Sequence, residues 1–337
     1  MILFYGVHCM EALVFSLNAV MPIVLTVAVG YFLKRVGLIA DIVATALNRL
    51  VFRVFLPVML FLNVYGIEEF SLSEIGFIGY VIGAIAVIFI TMIPIVCLFT
   101  KDARKRGVLL QGTFRSNFAL IGIPLASSIS GTAGVITASV LSAIVVPLYN
   151  VLGVISLSIF RNGENKPNVK KIVTDIIKNP LIDSIALGFV FLGIKAALGR
   201  FEIDFRPENI NIFWSVLTKL GALATPLALI TLGAQFEFSA VKSLRRELSF
   251  SVFTRTVALP ALGIGLAYVC FASRFTAAQF ASLIAVFTTP VAVSSVPMTQ
   301  EMGGDSTLAG QIVVFTTLFS VLSVFASCFL LRLAGAI

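Results

Sequence analysis

GTFRSNFALIGIPLA, residues 112–126, is an apolar segment that contains an arginine, an asparagine, two glycines and a proline. Pro124 has no backbone N–H and its ring clashes with the preceding turn, so a helix through this segment should break or bend just before it. Inside a membrane, each freed N–H or C=O group costs several kcal/mol unless protein or a water-filled cavity receives it. Secondary transporters place their substrate at such breaks. The segment therefore predicts an interrupted transmembrane helix beside a binding site.

The composition of the whole chain is that of a membrane protein. Of its 337 residues, 59% are hydrophobic and 12% are charged, whereas a soluble domain carries roughly 25% charged residues. The mean hydropathy is +1.06. A polytopic membrane protein surrounded by a lipid bilayer is expected. The formal charge of +8 comes from basic residues in short loops, so we expect no nucleic-acid partner.

The sequence lacks the short motifs of enzymes and of nucleotide-driven pumps. It contains no GxSxG, HExxH or Walker loop, its four cysteines form no CxxC pair, and His8 is its only histidine. We therefore expect no enzymatic activity, no metal site and no cofactor. The energy for transport should come from a gradient.

Charge clusters and turn residues divide the chain into ten candidate spans, each long enough to cross about 30 Å of hydrocarbon. They cover residues 11–33, 42–65, 74–100, 107–128, 132–160, 179–199, 211–236, 247–272, 277–299 and 305–332. The predicted fold class is thus an all-α polytopic membrane protein with ten transmembrane helices. Fourteen loop lysines and arginines fall on one side and five on the other, which predicts that both termini lie outside the cytoplasmic membrane.

The two halves of the chain show signs of an internal repeat. Residues recur at offsets between 158 and 173: Pro22 and Gly30 with Pro180 and Gly188, Pro57 with Pro226, and Pro124 with Pro297, although Pro290 competes for the last match. Because each half would hold an odd number of spans, two five-helix repeats would lie inverted in the membrane. The predicted organisation is a first repeat over 1–160, a flexible cytoplasmic connector over 161–178 and a second repeat over 179–337.

The ninth span resembles the fourth in being interrupted. It reads FTTPVAVSSVPMTQEMGGD, residues 287–305, and Pro290 and Pro297 forbid a regular helix. Two broken helices should cross at mid-depth, with half-helices beginning just after Pro124 and Pro297. The N-terminal ends of such half-helices carry unpaired N–H donors and a partial positive charge. This electrostatic pattern favours a small organic anion as the substrate.

Candidate binding residues lie around the two breaks. Asn117 could bind the substrate or tie the opened backbone. Arg115 could snorkel to the interface or attract an anion in an inner vestibule. Ser294 and Ser295 could ligate the substrate or a coupling ion, or hydrogen-bond the freed carbonyl groups.

Five charged residues elsewhere in the spans have simpler interpretations. Asp183 follows the start of the sixth span, where it could stabilise the helix N-terminus or act as a coupling carboxylate. Arg49, Arg53 and Arg255 are interpreted as snorkelling to the cytoplasmic interface. Glu301 is expected to face cytoplasmic water.

Four short motifs resemble those of the auxin efflux carrier family, and the likeness spans nearly the whole chain. In order, they are Asn117 with Gly122-Ile123-Pro124-Leu125, Lys178-Asn179-Pro180, Leu232-Gly233, and Pro290 with Glu301. The resemblance is to the bacterial branch of malate and malonate permeases. The chain departs from the family pattern at Ser295, where plant members have a second proline.

The resemblance implies a scaffold domain and a transport domain that moves like an elevator, with the fourth and ninth helices crossing at their breaks. It implies that Asn117 touches the substrate carboxylate and that the site is built around Gly122, Pro124 and Pro290. Malate, malonate, a similar mono- or dicarboxylate, or an auxin-like acid would be the substrate. A homodimer through the scaffold is also implied.

The predicted function is a secondary active transporter that moves a small organic anion across the cytoplasmic membrane by alternating access. One alternative is a symporter or antiporter on the same plan, for another solute, with H⁺ or Na⁺ as the coupling ion. Another is a channel or sensor without turnover of its own.

Overall fold

The computed structural model describes residues 21–66, 74–160, 169–199 and 211–337. Within these ranges all regular elements are helices, and an isolated antiparallel bridge joins Ser116 to Val291. In chain order the helices are α1 (21–35), α2 (Asp41–Tyr65), α3 (Ile75–Phe99), α4 (Ala103–Phe114), α5 (Ile123–Phe160), α6 (Val169–Ile177), α7 (Pro180–Gly199), α8 (Asn211–Ala234), α9 (Phe238–Ser243), α10 (Arg245–Phe271), α11 (Ala277–Thr288), α12 (Ser295–Glu301) and α13 (Ser306–Leu333). Helix α5 is kinked, with non-helical dihedral angles at Ser130 and Gly131.

Seven helices in the described part of the chain are long and apolar enough to cross a membrane, namely α2, α3, α5, α7, α8, α10 and α13. Many of their large apolar side chains point outward; Leu98, Ile212 and Val269 are 88%, 85% and 80% exposed. Apolar surface of this extent is rare on soluble proteins and suits contact with lipid. The chain is an integral membrane protein, as its composition predicts. Residues 11–20 of the first predicted span lie outside the described residues.

The fourth predicted span is interrupted, but earlier than predicted. Helix α4 ends at Phe114, residues 115–117 are not helical, and a π-helical turn (Phe118–Gly122) leads into α5. The break lies at Asn117 because its N–H is received by the carbonyl oxygen of Pro290, at 2.8 Å. Pro124 is the second residue of α5. The hydrogen-bonding pattern changes there from π-helical to α-helical, and proline has no N–H to contribute to either pattern.

The ninth predicted span is also interrupted. Helix α11 ends at Thr288 and α12 begins at Ser295, with non-helical backbone between them. The second halves of the two spans therefore begin before Pro124 and Pro297, and the prediction that they begin after these prolines is wrong. Proline is tolerated in the first turn of a helix, where its N–H has no intrahelical partner to lose.

Each of the three π-helical turns in the described residues is followed by a proline two positions later. Besides the turn before Pro124, Val51–Phe55 precedes Pro57 in α2 and Thr254–Ala258 precedes Pro260 in α10. A proline ring clashes with the carbonyl group four residues earlier, and a wider turn relieves that clash. The widened turn of α10 also carries Arg255, whose side chain contacts the ends of α4 and α11.

The helices pack in two groups. In the first, α2 packs along α7 and α8, and α1 lies against α8 through two glycines. A Cβ atom at Gly233 would lie 1.9 Å from the Val27 carbonyl oxygen, and one at Gly30 would lie 2.1 Å from that of Ile230. In the second group, α5 packs against α4 and α11, α3 against α4, and α10 and α13 against α11.

The connector predicted over 161–178 is helical in part. Residues 161–168 lie outside the described residues, but Val169–Ile177 forms α6. Apolar residues recur there at positions 169, 172, 173, 176 and 177, the spacing of an amphipathic helix. The prediction of a flexible connector is therefore wrong for this segment, whose helical period was present in the sequence.

Candidate functional site

A cavity of about 180 Å³ lies between the two helix groups, beside the interrupted segments. Its polar lining residues are Asn63, Arg115, Ser116, Asn117, Tyr149, Asn150, Thr225 and Ser294. Its apolar lining residues are Leu56, Met59, Leu60, Leu120, Val146, Ala224, Ala228, Ala292 and Val293. The lining can therefore receive a solute with one polar end and an apolar remainder.

Arg115 points into the protein and does not snorkel. Its side chain is 1% exposed. One terminal nitrogen, Nη1, donates to Gln111 Oε1 (2.9 Å) and contacts the sulfur of Met298 (3.0 Å). The other, Nη2, donates to Asn150 Oδ1 (2.7 Å) and to Ser294 Oγ (2.9 Å). These contacts hold the guanidinium at the meeting point of α4, α5 and α12.

All of these partners of Arg115 are neutral. Among the described residues, the ion pairs join Lys34 to Asp41, Arg49 and Arg53 to Glu301, and Lys105 to Glu247; none includes Arg115. Burying a charge without an opposite charge is costly in a protein interior and more so at membrane depth. Within the described part of the chain, the positive charge at this cavity thus has no opposite charge beside it.

Asn117 uses its backbone and its side chain differently. Its N–H donates to the Pro290 carbonyl oxygen, which ties the two breaks together. Its side chain is 9% exposed and lines the cavity, and within the described part of the chain its Nδ2 has no hydrogen-bond partner. The hydrogen bond between the two breaks therefore uses the backbone of Asn117 and not its side-chain amide. The Nδ2 group can donate to a molecule in the cavity.

The prediction that Arg255 snorkels is wrong. This residue is also 1% exposed. Its Nε donates to the Thr289 carbonyl oxygen (2.9 Å), Nη2 to that of Val286 (2.8 Å) and Nη1 to that of Thr113 (3.2 Å). One guanidinium thus joins the C-terminal ends of α4 and α11. Unlike Arg115, it is surrounded by the partial negative charge of helix C-termini.

The predicted residues of the ninth span have different positions. Ser294 lines the cavity and accepts a hydrogen bond from Arg115. Ser295 is buried, and its Oγ has no partner among the described residues, but it does not line the cavity. Pro290 contributes only its carbonyl oxygen, which accepts from Asn117.

Three further predicted residues lie away from the cavity. Gly122 packs against its own π-helical turn, since a Cβ there would lie 2.5 Å from the Phe118 ring. Pro124 is exposed and is the second residue of α5. Asp183 is exposed in the first turn of α7, the arrangement expected of an acid that stabilises a helix N-terminus.

Comparison with known proteins bears on the whole chain. The sequence profile of the membrane transport protein family matches residues 15–326. The chain belongs to this family, that of the auxin efflux carriers. The family predicted from the four motifs is therefore confirmed. The transporter is also similar to an uncharacterized transporter of Methanothermobacter thermautotrophicus, with 22% identity over 324 residues that cover 91% of this chain and 96% of the relative.

A second polar cluster of the transporter joins α12 to α2. Glu301, expected to face water, has a side chain that is only 9% exposed; it accepts from Arg49 Nε (3.3 Å) and Arg53 Nε (3.2 Å). That expectation is wrong, because the two arginines of α2 cover the carboxylate. The interpretation of Arg49 and Arg53 as snorkelling residues did not include their ion pairs with Glu301.

Amide side chains continue this cluster towards α8. Asn48 Nδ2 donates to Gln235 Oε1 (2.7 Å) and lies 2.8 Å from Gln300 Oε1, while Thr231 donates to Asn48 Oδ1 (2.6 Å). We name this set, together with Arg49, Arg53 and Glu301, the polar latch. It links α2 and α8 of the first group to α12.

Sequence reasoning missed Asn63, Tyr149 and Asn150, which line the cavity of this transporter. A signal was present: Asn63 and Asn150 each stand within a predicted span, where an unpaired amide is costly and usually functional. Asn150 also supports Arg115 directly, at 2.7 Å.

Proposed function

We propose that this protein is a secondary active transporter that moves a small organic anion across the cytoplasmic membrane. The substrate class is a mono- or dicarboxylate such as malate or malonate, or an auxin-like acid. The observation that supports this most strongly is the buried guanidinium of Arg115, which lines a cavity and whose partners among the described residues are all neutral. A carboxylate would supply the missing charge through charge-assisted hydrogen bonds.

The cavity offers further groups for such a ligand. The free Nδ2 donor of Asn117 would hold a carboxylate oxygen, and Ser294 borders the same space. The apolar wall formed by residues such as Leu56, Met59 and Val146 would contact the remainder of the solute. One buried cation balances one carboxylate, so Arg115 would hold a single carboxylate group of either a mono- or a dicarboxylate.

We propose two inverted five-helix repeats, ten transmembrane helices, and crossed fourth and ninth helices for the architecture. Equivalent close contacts in the two halves support this. Gly30 of α1 approaches the Ile230 carbonyl oxygen in α8, and Gly188 of α7 approaches that of Phe61 in α2. Gly30 and its equivalent Gly188 are 158 positions apart, and Phe61 and its equivalent Ile230 are 169 positions apart, the same offsets at which Pro22 and Pro57 recur. Both termini would then lie outside.

Alternating access would follow from sliding between the two helix groups. Helices α1, α2, α7 and α8 would form a scaffold, and the group built around α5 would carry the breaks and Arg115. The cavity lies between them, with residues of both groups in its lining. Shear between packed helices is an established mode of domain movement.

Ligand binding to the purified protein tests this proposal. Thermal unfolding is measured with a set of mono- and dicarboxylates, and flux with the best of them in proteoliposomes. Substitution Asn117→Ala removes one hydrogen bond to a charged group, worth about 1.5–3 kcal/mol, and should weaken binding roughly 10- to 100-fold. Asn211→Ala, at the exposed start of α8, is the matched control.

Each outcome separates one element of the proposal. If no carboxylate raises the unfolding temperature, the assignment of an anionic substrate is wrong. If Asn117→Ala binds like the parent, the site is misplaced although the substrate class stands. Counterflow of labelled substrate identifies a transporter, because a channel shows none.

A further inference from the structure

Carbonyl groups gather where α4 and α11 end at the break. The last carbonyl groups of a helix have no intrahelical N–H partner, and together they carry about half a negative charge. In transporters with broken helices, carbonyl groups of unwound backbone and helix C-terminal ends are where a coupling Na⁺ is coordinated. The cation that neutralises this position therefore determines which gradient can drive the protein.

Here these carbonyl oxygens already have a cationic partner. Arg255 donates to oxygens of Thr113, Val286 and Thr289 at 2.8–3.2 Å, so it takes acceptors from both helix ends. The side chain is buried, and in the described part of the chain no Asp or Glu pairs with it. Among the described residues, the carbonyl groups of the helix ends are thus what accepts hydrogen bonds from its charged group.

The backbone of α10 explains how Arg255 reaches this position. It belongs to the π-helical turn Thr254–Ala258, directly before Leu259 and Pro260. Because a π-helical turn is wider than an α-helical one, it redirects the side chains that it carries. The hydrogen bonds of Arg255 to two different helices depend on that placement.

We propose that Arg255 is a resident cation that takes the place of a coupling sodium ion, so that this transporter works without Na⁺. This inference rests on the proposed function, since coupling has meaning only for a transporter. A covalently attached guanidinium neither dissociates nor re-binds, so it stabilises the two helix ends in every state of the cycle. A sodium ion would compete for oxygens that already accept hydrogen bonds, and would be repelled by the fixed charge.

The test compares NaCl with choline chloride in two measurements. The unfolding temperature of the wild-type protein, without substrate, should be the same in both salts. Its uptake of the best carboxylate should agree within about twofold, too little for a bound driving ion. A clear rise of either quantity in Na⁺ would overturn the proposal.

Substitution Arg255→Ala removes the resident cation and frees the carbonyl oxygens. In choline chloride its uptake should fall by roughly 100-fold, the scale of losing a buried charged partner. Added Na⁺, or low concentrations of guanidinium ion, should restore part of the uptake and raise its unfolding temperature. Arg274→Ala removes an exposed arginine and should change nothing. Full uptake by Arg255→Ala in choline chloride would contradict the proposal.

If Arg255→Ala fails to fold, a second variant still tests the proposal. Arg255→Lys keeps a charge at the helix ends and should remain independent of Na⁺; a sodium requirement in this variant or in the wild type would refute the inference. If no carboxylate is transported at all, the proposed function fails, and the comparison of unfolding temperatures still tests Na⁺ binding.

Discussion

Replacing Arg115 with glutamine removes a buried charge from the cavity lining while keeping an amide that can donate to Asn150. The wild-type guanidinium is held by four neutral side chains, so its full charge is available to a ligand. Loss of one partner from a buried, hydrogen-bonded charge pair costs about 2–5 kcal/mol. Taking about 3 kcal/mol, the dissociation constant for a carboxylate should rise on the order of 100-fold.

The same substitution should leave the folded protein as stable as before, or more so. Arg115 is buried without an acidic partner in the described residues, so its removal relieves a desolvation penalty that offsets the lost hydrogen bonds. Weaker binding with an unchanged unfolding temperature is therefore the expected signature.

Calorimetric titration of the carboxylate into protein in nanodiscs measures the binding change, and thermal unfolding measures the stability. Arg274→Gln, which changes an exposed arginine, is the matched control. The reasoning is refuted if Arg115→Gln binds the carboxylate as tightly as the wild-type protein. It is also refuted if the unfolding temperature falls far enough to explain the lost binding.

Two further predictions concern the polar latch and the glycine contact. Glu301→Gln weakens the pairing of α12 with Arg49 and Arg53 by about 1 kcal/mol, so amide hydrogen exchange over residues 295–301 should accelerate about fivefold; unchanged exchange would show that the pairing does not restrain this segment. Gly233→Ala places a Cβ 1.9 Å from a backbone oxygen of α1 and should destabilise the protein by about 1–3 kcal/mol, measured by thermal unfolding. Gly193→Ala, with open space around its Cβ, is the control; an equal effect of both would contradict the contact.

Much of the fold could be predicted from the sequence because membrane spans depend on length and apolarity alone. The bounds of α2, α3, α7 and α13 differ by only a few residues from the spans predicted from charge clusters. Prolines also predicted that the fourth and ninth spans are interrupted. They did not locate the first interruption, because the position of that break depends on the hydrogen bond between Asn117 and Pro290, a tertiary contact.

The candidate site could be predicted only in part. Arg115, Asn117 and Ser294 were identified because polar groups within apolar segments are costly, and all three line the cavity. Arg255 and Glu301 were misinterpreted, since distance along a helix from the interface does not tell which neighbour a side chain meets. Their partners lie on other helices.

The bond between Asn117 and Pro290 has a consequence for how the chain is made. The acceptor is synthesised 173 positions after the donor, which takes on the order of ten to thirty seconds at the usual pace of translation. During that interval the N–H at the first break lacks its final partner, and the half-inserted chain needs water, lipid headgroups or the insertion machinery to shield it. Release of the nascent chain before residue 290 should therefore yield a product that is degraded and not a stable half-transporter.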